Sequence, residues 1–343
     1  MAIQASRESR VKGVIVPREN AHEAAVVDHV EVIPVSFLSE VVSFLSGENP
    51  LDPVPSQVHD LMDEYSVYDI DYSDVRGQEV AKRAITIAAA GAHNLLMVGP
   101  PGSGKSMLAK RIATVMPPLT SSESIETTRI YSAMGKLPTG LPLLAKRPFR
   151  SPHHTISEAG LVGGGSPPAP GEISLSNNGV LFLDELPEFN RRTLEVMRQP
   201  LEDGIVTISR ALSSTTFPAD LMLIAAMNPC PCGFRTEPRR ECHCSIAQIE
   251  RYMAKISGPL LDRIDIHIEV PAVDYKELSS SKLGTSSAEM REQVVAARRI
   301  QLQRFPTTAI QFNAQMTSRQ LRAYCTLDNP CRTLLKITVN DLG

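Results

Sequence analysis

The sequence predicts an α/β fold in which a parallel sheet surrounds a phosphate-binding loop, with inserted β-hairpins and a small helical lid after it. Three observations predict it. The stretch Gly99-Pro100-Pro101-Gly102-Ser103-Gly104-Lys105-Ser106 fits G-x-x-x-x-G-K-[ST], and it stands between an apolar run, Asn94 to Val98, and a helical stretch, Met107 to Ala113. Two further runs, Val180-Leu181-Phe182-Leu183 and Leu221 to Met227, have the unbroken apolar character of strands buried on both faces. From residue 274 onward the apolar runs stop and helix-start signals take over.

The glycine-rich loop comes first because its chemistry is the most specific. Glycines let the backbone curl so that its N–H groups face phosphate oxygens, and the following helix adds partial positive charge at its amino end. In that geometry Lys105 reaches the β- and γ-phosphates of ATP and the Ser106 hydroxyl ligates Mg2+. Such an enzyme also needs an acid at the end of a neighbouring strand. Asp184, closing the run from Val180, suits the metal, and Glu185 after it is placed to activate an attacking water. Asn228 ends the run from Leu221, at the strand end where an open parallel sheet holds its ligand. It reads either as a contact to the γ-phosphate or attacking water, or as a turn residue.

The composition sets limits. With 343 residues, 42% hydrophobic and 21% charged, the chain has core for two or three domains. Its net charge of −3 excludes a global polycation, so a nucleic-acid contact requires local basic loops. No apolar run approaches a membrane span, and the opening residues carry no apolar signal core. Six cysteines in a nucleotide-binding chain suggest a reducing compartment, hence the cytoplasm.

In chain order, residues 1–47 read as a β-α-β-α piece: strands at Val14 to Val16 and Val30 to Val35, helices at Glu19 to Val27 and Ser36 to Leu45. This is too short for a reliable core of its own. Residues 48–74, with clustered prolines and then an acidic stretch from Asp60 to Asp74, have linker composition. The core spans 75–273 and opens on Gly77-Gln78 ahead of a helix from Val80 to Ala92. That pair suits backbone contacts to an adenine ring and equally suits an ordinary turn and cap. Before the acidic pair lies Arg147 to His154. Its two histidines are a poor metal site, because neighbours on a regular backbone point apart. Arg191 to Leu201 reads as one helix. Ile205 to Ser209 and Ser214 to Phe217 then form a hairpin with Arg210 near its tip.

Cys230-Pro231-Cys232 and Cys242-His243-Cys244 follow Asn228 closely. Four cysteines can make a tetrahedral zinc site, although short C-x-C bites strain a shared tetrahedron; free reduced thiols are the alternative. Arg263, just before a strand from Ile264 to Val270, can project into a neighbour's nucleotide site or pair locally with Asp262 or Asp265. Residues 274–343 form the lid, with helices at Ser287 to Arg304 and Ser318 to Cys325 behind capping-box signals, and a third near Pro330.

Taken together, Val75-Arg76-Gly77-Gln78, the P-loop, Arg147 to His154, Gly179 to Glu185, Ile208 to Ala211, Ala226 to Gly233 and Ser257 to Ile266 resemble the AAA+ core of the magnesium-chelatase-like ATPases, most closely the ComM/YifB family. The resemblance implies Walker A roles for Lys105 and Ser106 and Walker B roles for Asp184 and Glu185. It also implies a sensor role for Asn228, an arginine finger at Arg263, and inserted hairpins in 155–178 and around Arg210. For partners it implies a homo-hexameric ring and DNA, single-stranded or branched, with helicase or branch-migration activity in transformation or recombination. The alternative is a chelatase-type motor remodelling a protein; the cysteine loop and a Lon-protease-like remnant at 13–47 favour the DNA motor. The same comparison implies that the lid stops short of the helix bearing the family's second sensor arginine, which would weaken turnover or leave a fragment that binds nucleotide without hydrolysing it.

Overall fold

The computed structural model describes residues 11–26, 30–55, 62, 64–138, 141–210, 213–273, 284–305 and 310–342. Among these, no helix is long and apolar enough to cross a membrane.

The amino-terminal piece pairs two strands in parallel, β1 (Gly13–Pro17) and β2 (Glu31–Val35). The helix expected from Glu19 is shorter than its pattern suggests: a 3-10 turn at Arg18–Asn20 and a single α-turn at Ala21–Ala24. The chain must return beside β1 within a few residues, which leaves no room for more; Val27 lies outside the described residues. The next helix, Leu38–Leu45, has the expected amphipathic pattern but leaves Leu38, Val42 and Leu45 exposed.

The central sheet holds five parallel strands: β3 (Leu95–Val98), β4 (Phe149–Arg150), β7 (Val180–Leu183), β10 (Met222–Met227) and β11 (Ile266–Glu269). Their order across the sheet is β11-β3-β10-β7-β4. The three strands read as unbroken apolar runs occupy its centre, and every residue of β7 and β10 is buried. Register is fixed by pairings such as Leu96 with Ala225 and Phe182 with Ile224. Two hairpins project from this frame. One, of two-residue strands β5 (Gly163–Gly164) and β6 (Ala169–Pro170), lies in the expected insertion; the other joins β8 (Ile205–Arg210) to β9 (Ser213–Pro218).

Each face of the sheet has its own core. On one, Leu95, Met97, Phe182 and Ile224 meet Ile85, Leu108 and Ile112 from the helices Glu79–Gly91 and Lys105–Val115, with Met290 and Val294 from the long helix Ser287–Arg304. On the other, Leu181, Leu183, Leu223 and Ala225 meet Leu161, Leu194 and Val206. Each of these large side chains contributes about 1.5–3 kcal/mol of burial. Tyr72, within the stretch of linker composition, is fully buried; its hydroxyl donates to the Leu108 carbonyl at 2.6 Å and its N–H to Ser287 Oγ at 2.9 Å. The start of the lid helix is thereby tied to the P-loop helix. The acidic stretch from Asp60 falls partly outside the described residues.

Two local readings change. Arg191 to Leu201 is not one helix but two, Arg191–Glu195 and Arg198–Asp203. Pro200 cannot bond back to the Val196 carbonyl and its ring crowds that group, so the chain breaks at Val196-Met197. A helix at Ser121–Ala133 was not anticipated from its weak apolar pattern, although Thr120 and Glu123 form a reciprocal capping box there, worth about 1 kcal/mol.

Candidate nucleotide site

The site is built where β3, β10 and β7 end. The P-loop leaves β3 and enters Lys105–Val115, with Gly104 at the helix cap at φ +95°, a left-handed conformation that favours glycine. Lys105 is buried, and its ammonium donates to the carbonyls of Gly99 at 2.7 Å and Pro100 at 2.9 Å and to Asn228 Oδ1 at 3.3 Å. Burial pushes its pKa below that of an ordinary lysine, with the Asp184 carboxylate acting in the opposite sense. The Ser106 hydroxyl donates to Asp184 Oδ2 at 2.6 Å. A serine hydroxyl and a carboxylate oxygen held this close, one at each side of a loop rich in N–H donors, form a donor set suited to a hard divalent cation. Lys105, Ser106, Asp184 and Asn228, which the sequence picked out separately, thus converge in one place.

Glu185 follows at φ +53°, a strained setting for a non-glycine residue that costs on the order of 1–3 kcal/mol. Its N–H donates to Asp184 Oδ1 at 3.0 Å, and its carboxylate lies 3.3 Å from His154 Nδ1. His154 enters from the loop after β4, the strand paired with β7. The rings of His153 and His154 face each other 4.0 Å apart, so the expectation that they diverge is wrong: this loop is not regular backbone. Sequence reasoning weighed His154 only as a metal ligand and missed its contact with Glu185. The signal available was its position just beyond a strand adjacent to the acidic pair.

Gln78, at the start of Glu79–Gly91, also sits at positive φ and makes no side-chain cap. Its amide instead donates to the Ser103 carbonyl at 3.2 Å and the Pro271 carbonyl at 2.7 Å, bracing the P-loop against the exit of β11.

Arg263 is at the opposite end of the strands, just before β11, which pairs with β3. It pairs with neither Asp262 nor Asp265; its Nη2 lies 3.0 Å from Glu202 Oε1, while Asp265 contacts His93 at 2.9 Å. Asn94, immediately before β3, donates to the Arg263 carbonyl at 2.7 Å and accepts from the Leu223 N–H at 2.8 Å, so the arginine is fixed to the sheet by its backbone. Its Nε has no partner among the described residues. A cavity of about 680 Å³ opens beside it, lined by Asn94, Glu123, Arg147, Asp220, Arg298 and Phe312 among others. Arg298 stacks on the Phe312 ring at 3.8 Å, and burial pushes its pKa down to about 10. This cavity is at the amino ends of the strands, away from the end where parallel sheets hold ligands. Arg210 closes β8 at the hairpin end, and its side chain lies outside the described residues.

The two C-x-C pairs, separated in sequence, fold together: the sulfurs of Cys230, Cys232, Cys242 and Cys244 all lie within 4.8 Å of one another.

Comparison with known proteins agrees with this architecture. The profile of the family described as "Magnesium chelatase, subunit ChlI" matches residues 71–278, and that of its C-terminal domain matches 284–343. The whole chain is 43% identical to the protein named "Competence protein ComM" of Haemophilus influenzae and 40% identical to YifB of Escherichia coli, and it spans 66% of the length of each. A more distant likeness, 26% over 206 residues, covers 56% of the chain and 20% of the Drosophila melanogaster protein named "DNA replication licensing factor Mcm2". With a family profile over most of its length and full-length identity of this order, the chain belongs to the magnesium-chelatase-type AAA+ ATPases and, within them, to the ComM/YifB family.

Proposed function

We propose that this chain binds ATP with Mg2+ at the P-loop and hydrolyses it as one subunit of a ring motor that acts on DNA. The observation that carries the reading is the convergence of Lys105, Ser106, Asp184 and Asn228 at the carboxyl ends of three adjacent parallel strands. Residues Gly99 to Ser106, with Gly77 and Gln78 beside them, cradle the nucleotide. Ser106 and Asp184 hold the cation, which when bound neutralises charge developing on the β- and γ-phosphates. Lys105 neutralises the same oxygens, for which its protonated form is required. Glu185 takes a proton from the attacking water, and Asn228 orients that water or the γ-phosphate. Arg263, at the amino ends of the strands and away from the P-loop, serves the site of the next subunit rather than its own, which makes the active site complete only in a ring.

In this reading residues 75–273 are the motor, 274–343 the lid, 48–74 the connection and 1–47 a piece of a Lon-like domain. DNA as partner is supported by the likeness to ComM and by Arg210, a basic residue at the end of β8. The family's chelatase name supports the second reading, a motor that remodels a protein. Six cysteines without a disulfide suit a cytoplasmic setting.

The test is phosphate release by the purified chain, with and without branched or single-stranded DNA, beside Lys105→Ala. Hydrolysis that DNA stimulates and the variant lacks supports the proposal. Hydrolysis indifferent to DNA favours the protein-remodelling reading, and ATP binding without hydrolysis removes the motor.

A further inference from the structure

We propose that Cys230, Cys232, Cys242 and Cys244 hold one structural Zn2+ ion, which pins the loop carrying Asn228 against the P-loop. The proposal stands apart from the reading of the chain as a DNA motor, because it concerns a metal of different chemistry at a different place.

The sulfur geometry is the first argument. Cys230 Sγ lies 3.4 Å from Cys232 Sγ and 3.7 Å from Cys242 Sγ, and the last two are 3.6 Å apart. A disulfide requires about 2.05 Å, so no pair is bonded. Four thiolates at about 2.3 Å from one zinc ion stand about 3.8 Å from each other in a regular tetrahedron. The observed edges are close to that value, and the C-x-C bite, at 3.4 Å, is only slightly compressed. The strain anticipated from the spacing is thus small. A set of four within 4.8 Å is also too tight for the corners of an iron–sulfur cluster, whose cysteines ligate different irons.

The surroundings are the second argument. Backbone N–H groups of Phe234, Cys244 and Cys232 face the sulfurs of Cys232, Cys242 and Cys244. Such N–H donors stabilise coordinated thiolates and fix their direction. Pro229 and Pro231 flank Cys230 and restrict the first arm before any metal arrives. All four tetrahedral positions are filled by protein, which is the pattern of a structural rather than a catalytic zinc, and an all-sulfur set selects zinc over Mg2+ or Ca2+.

The location supplies the consequence. Cys230 is two residues beyond Asn228. Gly233, at φ +84°, lies so close to the P-loop that a Cβ there would stand 2.7 Å from Pro101 Cδ and 3.7 Å from Asn228 Cγ. The loop is thus stapled to the nucleotide site by contact at Gly233 and by the metal on either side of it. Apart from the cysteines, local turns such as Gly233 N–H to Cys230 O and Glu237 N–H to Phe234 O, and the stacking of Arg240 on Phe234, 5.0 Å away, shape the segment from Cys230 to Cys244.

The test measures metal directly. The full chain, purified without added metal or chelator, is expected to carry one zinc per chain by elemental analysis. Ellman's reagent is expected to titrate Cys325 and Cys331, which are exposed, at once, and the other four only after a zinc chelator is added. Replacement by Co2+ is expected to give the sulfur-to-cobalt charge-transfer and d–d absorption of a tetrahedral all-thiolate site. The Cys242→Ser/Cys244→Ser variant is expected to lose the zinc, while Cys325→Ser/Cys331→Ser keeps it. Hydrogen exchange of the 228–244 backbone is expected to quicken when the wild-type chain is stripped of metal. A wild-type chain that holds no zinc, takes up none when Zn2+ is supplied, and shows six thiols reacting together overturns the proposal whether or not the variants fold. Iron in place of zinc overturns it also.

Discussion

His154 Nδ1 lies 3.3 Å from Glu185 Oε2, so the carboxylate proposed to activate water is engaged by a histidine from the loop after the adjacent strand. Glu185 is also held at positive φ. If Glu185 is the base proposed above, the contact acts as a brake on it. His154→Ala is expected to raise basal ATP turnover, by up to about fivefold for an exposed pair worth 0.2–1 kcal/mol, and to shrink any stimulation by DNA. Steady-state phosphate release with and without DNA reads both quantities. A fall in basal turnover would mean that the histidine holds Glu185 in its working position.

Removing the proposed base itself is expected to have a larger effect. Glu185→Gln keeps the size and the hydrogen-bonding oxygen but cannot accept a proton at neutral pH. Turnover is expected to drop by about 10²–10⁴, the usual worth of general-base catalysis, while ATP affinity stays within a few-fold. Equilibrium binding of a fluorescent ATP analogue beside single-turnover hydrolysis separates the two. Equal loss of binding and hydrolysis would place Glu185 in nucleotide binding rather than chemistry.

Arg263 pairs with Glu202 in the isolated chain, at the end of the strands opposite the P-loop. An arginine that works on a neighbour's nucleotide predicts complementation. Arg263→Ala and Lys105→Ala are each expected to be inactive, with Arg263→Ala losing about 10³ or more in rate. Mixed, they form interfaces in which an intact P-loop meets an intact arginine, and hydrolysis is expected to return. Mixtures as inactive as their components would confine Arg263 to its bond with Glu202. Glu202→Ala is expected to keep full activity, because it removes only the competing partner.

The parts of this site that were legible in the sequence are those written as local patterns. The P-loop, the acids after β7 and the asparagine after β10 each follow an unbroken apolar run that is visible in the local sequence. The five-stranded order and the pairing of distant cysteine pairs are long-range facts, and no local spacing encodes them. His154 escaped because its role depends on β4 lying beside β7, and β4 is only two residues long. Glu202 escaped for a similar reason: the break at Pro200 turns its helix toward Arg263. Gln78 reads equally as an adenine contact or as a turn and cap residue; its side chain also braces the P-loop, which local spacing could not show, since its partners Ser103 and Pro271 are far along the chain.

The cavity beside Arg263 gives a prediction about stability and pH. Asp220 lines it and is exposed to solvent by area, although protein crowds its carboxyl. Burial pushes its pKa above the ordinary aspartate value of 3.8; Glu123 and Glu126 add to the rise, and Arg147 and Arg298 oppose it. The folded state thus binds this proton more tightly than the unfolded state does. Below pH 3.8 both states hold the proton and the site costs nothing. As pH rises through 3.8 the unfolded chain ionises first, so stability falls until the raised pKa is passed and then stays lower by a constant amount. Asp220→Asn removes that penalty and leaves the backbone bonds to Asn177 and Asn178 in place. The variant is expected to melt higher than the wild type at neutral pH, by less than ~2 °C given the access of water, and the difference is expected to fade as the pH is lowered toward about 4. Melting curves across that range decide it. A variant that melts lower at neutral pH would mean that Arg147 and Arg298 outweigh burial and hold the carboxylate charged, reversing the sign of the argument.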